Sequence, residues 1–363
     1  MYFKIYMYRF LFLWIFVILI CGCNSATKQS ENIQLKFLDE YVLPNDLYVD
    51  STLVGGLSGI DFHNGQYYIV CDNSKNPRFY KSNITISNYK FDTIILNTVI
   101  TLPKSDIFLD LESIVVDSIS NEILLVSEGK INKEKDPSFF SVNEQGEFKN
   151  EFKIPPYFKA KGKQRPRDNG VFEGLSHDFN NDGYWIATEL PLKADGPKPK
   201  FKETTSPVRF TYFNKEGETT RQFAYLLDRV GKRPLGDFSV NGVTDLLAYD
   251  QNKLLIIERS FSSGYENHGN VIKLYSVDHT NAVNTVNNKR LTKVNYYPVK
   301  KELIFDFATV QNQLTNKSID NIEGLCFGPI LPNGNKSIIL ISDNNFNKDN
   351  NQINQFILME VLD

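Results

Sequence analysis

The stretches 110–129, DLESIVVDSISNEILLVSEG, and 171–190, VFEGLSHDFNNDGYWIATEL, share one grammar. A short apolar strand leads into a turn rich in Asn, Asp or Gly, and a second strand then ends in an acid. The same order recurs in GGLSGIDFHNGQYYIVCDN (55–73), GVTDLLAYDQNKLLIIERS (242–260) and NIEGLCFGPILPNGNKSIILISDNN (321–345). The pairs Asn64-Gly65, Asp182-Gly183 and Asn333-Gly334 are hairpin-turn chemistry. A third strand follows at 79–86, 139–142, 208–213, 271–277 and 356–362, and a fourth, outer one at 93–101, 148–154 and 221–227. A four-stranded antiparallel unit starting at residues 55, 110, 171, 242 and 321 predicts an all-β chain folded as a β-propeller.

Five blades are visible, and a sixth is open between 291 and 310, where KVNYYPVKKELIFDFATV fits the grammar poorly. The last repeat stops at Asp363 with three strands, while QLKFLDEYVL (34–43) is an orphan strand near the start. Lending it to the last blade closes the ring and leaves no exposed edge. A β-sandwich or two small domains is the competing architecture, but no shift in composition marks a boundary.

The hairpins place charge. Glu112 opens one strand and Glu128 closes its partner; Glu173 with Glu189, and Glu323 with Asp343, repeat the arrangement. In the first repeat Ser58 pairs with Asp72, and in the fourth Asp245 lies near Glu258. The first strand of a propeller blade lines the channel. Glu112, Glu173 and Glu323, helped by Asp245, are thus expected to form an inner ring. Asp72, Glu128, Glu189, Glu258 and Asp343 are expected to form a second ring just outside it. Like charges facing each other destabilise a sheet, so such a mouth needs a cation, a basic partner or bound protons. Arg78, Arg165, Arg167, Arg209 and Arg259 are the available partners, and these pairs equally suit simple bracing of the blades. Hard oxygen ligands suit Ca²⁺, and Arg suits bidentate recognition of an anion.

The chain opens MYFKIYMYRFLFLWIFVILICGCNS: Lys4 and Arg9, an apolar run over 10–20, then Cys21-Gly22-Cys23. That is the layout of a secretory signal, short for a membrane span. Residues 20–23 resemble a bacterial lipobox that ends on an acylated Cys23; a signal anchor or a soluble secreted protein is the alternative. The expected organisation is a lipoprotein signal peptide over 1–22, a polar tether over 23–33 and one propeller domain over 34–363. The protein is then attached to a lipid membrane in the bacterial cell envelope, on the non-cytoplasmic side. Removing 1–22 deletes two bases and no acid, taking the formal charge from −3 to −5. An acidic chain without a basic stripe gives no support to nucleic-acid binding. Cys71 and Cys326 sit in apolar runs and read as two buried thiols; no zinc spacing exists, and the four His are scattered.

Other catalytic patterns are weak. The sequence 56–59, GLSG, lacks the spacing of a nucleophile elbow, although Ser58 is a hydroxyl of the inner ring. DFNNDG (178–183) begins like a calcium-binding loop but has no closing Glu, and a turn accounts for it.

The series GGLSGIDF, DLESIVVD, RPRDNGVFEGLS with TELPL downstream, and NIEGLCFGP with LISDNN resembles the phytase-like family described as "esterase-like activity of phytase", over roughly 53–362. The resemblance implies an exported, often membrane-attached, propeller-like protein with phytase or esterase-like activity. On this sequence its pattern marks Arg78, Glu112, Arg167, Asp168, Asn169, Glu173, Glu189, Glu323 and Asp343. The fourth repeat departs from it, with Gly242-Val243-Thr244-Asp245 in place of a Glu-Gly pair, and the phosphatase signature RHGxRxP is absent.

The resulting expectation is metal-dependent hydrolysis of a small anionic or ester substrate. Glu173 or Glu323 is the base and Arg167 steadies the anion. Arg78, Arg209 and Arg259 bind substrate, and Asp72, Glu112, Glu128, Glu189 and Asp343 hold Ca²⁺. A non-catalytic propeller that binds a ligand or protein at the same mouth is the other expectation.

Overall fold

The computed structural model describes residues 32–347 and 352–362, so Cys23 and most of the tether lie outside the described residues. In chain order the strands are β1 (Gln34–Leu43), a small hairpin of β2 (Tyr48–Val49) and β3 (Thr52–Leu53), and then five blades. Blade 1 is β4 (Leu57–His63), β5 (Gln66–Cys71), β6 (Arg78–Ser87) and β7 (Lys90–Thr101). Blade 2 is β8 (Leu111–Val116), β9 (Ile123–Ser127), β10 (Ser138–Val142) and β11 (Phe148–Phe152). Blade 3 is β12 (Phe172–His177), β13 (Gly183–Thr188), β14 (Pro207–Asn214) and β15 (Thr219–Leu226). Blade 4 is β16 (Ser239–Asp250), β17 (Lys253–Ser262), β18 (Asn270–Asp278) and β19 (Lys301–Asp306). Blade 5 is β20 (Ile322–Phe327), β21 (Ser337–Ser342) and β22 (Asn354–Leu362), with β1 as its fourth strand.

The ring is closed as the orphan strand implied. β1 runs antiparallel to β22 from Gln34↔Leu362 to Leu43↔Asn354. The stretch considered for a sixth blade instead supplies β19, the outermost strand of blade 4. Before it, the 279–300 connection crosses to blade 3 and bonds along β15: Thr285 N–H donates to the Gln222 carbonyl at 2.7 Å and Val299 N–H to the Ala224 carbonyl at 2.9 Å. A sheet edge is thereby covered.

Apolar side chains on the two faces of each sheet pack against the neighbouring blades. One cluster joins Ile69 and Tyr80 of blade 1 to Ile339 and Phe356 of blade 5; another joins Val126 and Phe139 of blade 2 to Ile186 and Phe213 of blade 3. Cys71 and Cys326 are free, buried thiols in the first of these clusters. At Asn64-Gly65 both turn residues have positive φ, 49° and 81°, as a two-residue hairpin loop demands.

The innermost strands β4, β8, β12, β16 and β20 pack around the axis in parallel. All five therefore start at one end of the ring. That end is the acidic mouth.

Candidate functional site

A register shift recurs toward the mouth end of each innermost strand. The pairing skips one residue between Leu57 and Gly59, Leu111 and Ser113, Val243 and Asp245, and Ile322 and Gly324, and it shifts between Phe172 and Leu175. The residues at these bulges are Ser58, Glu112, Thr244, Glu323 and, by position, Glu173. A bulge re-aims a side chain and ends regular pairing, and here it turns the inner ring toward the mouth. The two hydroxyls of that ring bond the next blade: Ser58 Oγ donates to the Leu111 carbonyl and Thr244 Oγ1 to the Ile322 carbonyl, each at 3.0 Å. Ser58 is thus tied to backbone, with no base beside it.

The second ring follows from the same register. Cys71, Ser127, Thr188, Glu258 and Ser342 face the residue before the shift, so the next residues are Asp72, Glu128, Glu189, Arg259 and Asp343. Sequence spacing places Glu258 in this ring, and the structure corrects that by one residue. Glu258 is buried away from the mouth, accepting from the Tyr225 hydroxyl at 2.6 Å, Asn241 Nδ2 at 2.6 Å and Lys301. Arg259 stands in its place, reaching Glu189 of blade 3 at 3.3 Å and Glu323 of blade 5 at 3.2 Å, and also Asn321.

Asp245 is corrected likewise. It aligns with the Gly of the Glu-Gly pairs and fills the axis itself. Its carboxyl accepts from Leu325 N–H at 2.9 Å and Leu175 N–H at 3.3 Å, and the Ser113 hydroxyl stands at 3.5 Å.

The two rings line a cavity of about 710 Å³. Nine carboxylates border it, those of Asp72, Asp110, Glu112, Glu128, Asp168, Glu173, Glu189, Glu323 and Asp343, against the two cations Lys198 and Arg259. Burial, then the repulsion of Glu173 and Glu128, pushes the Glu112 carboxyl well up from its usual range. Burial, then Glu189 and Glu128, does the same to Glu173. Burial raises Glu128 to about 8, Glu323 to about 7 and Asp72 to about 6. Arg259 is held above its usual value: burial alone would lower it, but Glu323 and Glu189 outweigh that.

Partners divide these acids. Glu189 and Glu323 share Arg259, Glu128 accepts from Gly170 N–H at 2.9 Å, and Asp343 accepts from Asn345 N–H at 2.6 Å. Glu173 is only 6% exposed, yet among the described residues its carboxyl has no hydrogen bond or ion pair. The second oxygen of Glu189 is buried and unbonded as well.

Every ligand on offer is a hard oxygen donor, which suits Ca²⁺ or Mg²⁺. Among the described residues, however, no three His, Cys, Asp or Glu side chains converge as a ready-made cage. A cation here would rest on one or two carboxylates, with water or substrate filling its other positions.

Three expected site arginines are elsewhere. Arg78 is buried and donates to Tyr80 and to the Asn76 and Leu53 carbonyls. Arg167 donates to the Pro191 and Gly196 carbonyls at 3.0 and 2.7 Å. Arg209 grips Asp195 through two bonds of 2.7 and 3.0 Å and also holds Gln222 and the Asn288 carbonyl. None of the three lines the mouth. The 178–183 turn has a structural role too: Asp178 accepts from Trp185 Nε1 at 2.9 Å and Asp182 from the Tyr212 hydroxyl at 2.8 Å. Lys198, Asp110 and Asn321 also line the mouth without having been expected there: Asp110 and Asn321 precede the apolar run of their repeats, and Lys198 lies in the long loop between β13 and β14.

The fold and the site define a five-bladed β-propeller whose channel opens at a carboxylate-lined mouth. The chain belongs to the phytase-like family, "esterase-like activity of phytase", whose model matches residues 52–346. No curated protein matches it. Among solved structures it is similar to the glutaminyl cyclase of Myxococcus xanthus at 10% identity, with 91% of this chain and 98% of that one covered and a TM-score of 0.39. The Dos1 propeller (8% identity, 84% and 68% covered, TM-score 0.35) and the Bombyx mori GH32 β-fructofuranosidase BmSUC1 (10%, 84% and 60%, TM-score 0.41) are similar to a like degree.

Proposed function

We propose that the acidic mouth is a hydrolytic site for esters or phosphoesters, working with a hard divalent cation such as Ca²⁺ on a lipid-anchored, exported protein. The observation that carries this reading is Glu173, a buried carboxylate at the cavity with no hydrogen bond or ion pair among the described residues. Leaving such a group unpaired is costly, and catalytic sites are where that cost is met.

Glu112, Glu128 and Asp72 are not engaged by Arg259, and one or two of them would hold the cation, with water or substrate in its other positions. When bound, the cation polarises the substrate oxygen and acidifies water. Glu173 would take the proton of the attacking water as the water oxygen bonds to the substrate carbon or phosphorus, and would return that proton to the alkoxide that leaves as the ester C–O or P–O bond breaks. Burial, then Glu189 and Glu128, raises the affinity of Glu173 for a proton above that of an ordinary carboxylate, which makes it the stronger base. Glu323 is the weaker choice of base because Arg259 and Asn321 already occupy it. The anion-steadying role first given to Arg167 passes to Arg259 and Lys198, the two cations at the cavity.

The test is hydrolysis of chromogenic carboxylic and phosphate esters by the full chain, with calcium and after chelation. Glu173→Gln is expected to cut kcat about 100-fold or more, in the range of a lost general base. Turnover indifferent to both chelation and Glu173→Gln sinks the proposal.

The lack of a preformed cage favours a second reading, a non-catalytic mouth that binds a ligand or partner protein. It predicts ligand-dependent stabilisation without turnover.

A further inference from the structure

Beside the acidic mouth lies its opposite. The segments 159–167, 193–202, 229–233 and 289–293, flanked by Asp168, Glu203, Asp228 and Asp237, hold fifteen Lys or Arg and one acid, Asp195, which Arg209 neutralises. They are separate in sequence but bonded in space. Lys193 N–H donates to the Arg165 carbonyl at 3.2 Å, Val230 N–H to the Lys200 carbonyl at 3.0 Å, and Leu291 N–H to Asp195 at 2.7 Å. The first three loops join strands at the mouth end of blades 2 to 4, and the fourth lies along the outer edge of blade 3. Together they form one basic crescent on a chain whose formal charge is −3.

Little of that charge is neutralised. Lys159 and Lys161 pair with Asp136 and Glu134 at 4.0 and 3.0 Å; the other bases of these loops have no ion pair among the described residues, apart from Lys198 and its place at the acidic cavity. Exposed apolar side chains lie in or beside the crescent: Phe201, Leu235, Val294 and Tyr297 are 40, 67, 91 and 73% exposed.

We propose that this crescent docks the mouth face onto an anionic lipid bilayer. Four loops present a footprint wider than a small anion needs. Bases mixed with protruding apolar groups form a surface that inserts at an anionic membrane interface, whereas a soluble polyanion would engage the charge alone. The sequence also expects a lipid anchor at Cys23, which would hold the chain at a bilayer. β1 starts at the end of the ring away from the mouth. The ten residues 24–33 span at most about 36 Å, comparable to the roughly 33 Å length of β1. The inference does not depend on the mouth being hydrolytic.

The test places a fluorophore on Leu235→Cys or on Ile119→Cys of the full chain in vesicles that contain quencher-bearing lipid. Ile119, 75% exposed, sits at the opposite end of the ring in the turn between β8 and β9. Cys71 and Cys326 are buried, so labelling of the parent chain would report an unacylated Cys23 or an uncleaved Cys21 and thereby a failure of the anchor alone. In phosphatidylglycerol vesicles the label at 235 is expected to be quenched at least threefold more than the label at 119. The difference should vanish in phosphatidylcholine, in high salt, or when Lys200, Lys202, Arg229 and Arg233 are all changed to Glu in a variant with an unchanged melting temperature. Stronger quenching at 119, equal quenching at both sites, or quenching at 235 that survives the charge reversal overturns the proposal.

Discussion

A Cβ placed on Gly174 would stand 2.9 Å from the Cα of Asp245, so blade 3 has a glycine where blade 4 puts an acid on the axis. Gly59 and Gly324 stand in the same position in blades 1 and 5, and Ser113 in blade 2. The Glu-Gly pairs therefore have two physical roles. The Glu turns into the mouth at a bulge, and the Gly permits close backbone approach between blades: a Cβ on Gly324 would stand 2.9 Å from the Cα of Gly59, while the Asp245 carboxyl accepts the N–H groups of Leu175 and Leu325. Asp245→Ala should leave those buried donors unpaired and cost about 2–4 kcal/mol, while Asp245→Asn should keep most of the stability. Denaturant unfolding of both variants checks this; equal losses would show that the acceptor oxygens are not what matters.

The raised carboxyls of the mouth set a pH dependence. Burial lifts Asp72, Glu323 and Glu128 to about 6, 7 and 8 in the folded protein, whereas unfolded carboxyls titrate near about 4. Between those values the folded state binds more protons than the unfolded one, so stability falls as pH rises from about 4 to 8. Calcium should offset that fall by mass action. Melting temperatures from pH 4 to 9, with calcium and after chelation, are expected to diverge toward the alkaline end. Glu173→Gln should raise the chelated curve near pH 8 and shrink the calcium effect. Coincident curves would remove the cation from the account.

Arg259 is the cation on which two buried acids depend. Arg259→Met should strand Glu189 and Glu323 and destabilise the protein by about 3–5 kcal/mol at pH 8. The loss should be smaller at pH 5, where those acids can take up protons. A pH-independent loss would mean that Arg259 acts through packing alone.

Arg209 and Asp195 form a pair with side chains 1% and 0% exposed. Arg209→Lys loses the bidentate geometry and is expected to lower stability by about 1–3 kcal/mol without altering KM for any substrate of the mouth. A raised KM in a variant of unchanged stability would restore Arg209 to substrate binding.

The clasp is testable by deletion. Without 34–43 the edge of β22 is exposed over nine residues, and aggregation or a large drop in melting temperature is expected. A truncated chain that melts like the intact one would show that the ring holds without β1.

The sequence by itself determined the repeat, its hairpins, the closing strand and which end of the ring gathers acid. Each of these follows from the two-residue period of a strand and from local turn chemistry. Glu112, Glu173 and Glu323 were legible as an inner ring for that reason, as were Asp72, Glu128, Glu189 and Asp343 as a second one. Only the tertiary structure put Thr244 and Arg259 into the rings in place of Asp245 and Glu258. β16 has the same skipped residue as β4, β8 and β20, but there the bulge carries Thr244 and the acid is the next residue, so following the acids alone misplaces the ring by one position. The fates of Arg78, Arg167 and Arg209 were also hidden, since their partners are loop carbonyls and Asp195, groups that belong to no repeat. The basic crescent has the same origin. Loops far apart in sequence meet only because ring closure sets their blades side by side, and charge that looks scattered along the chain becomes one surface beside the mouth.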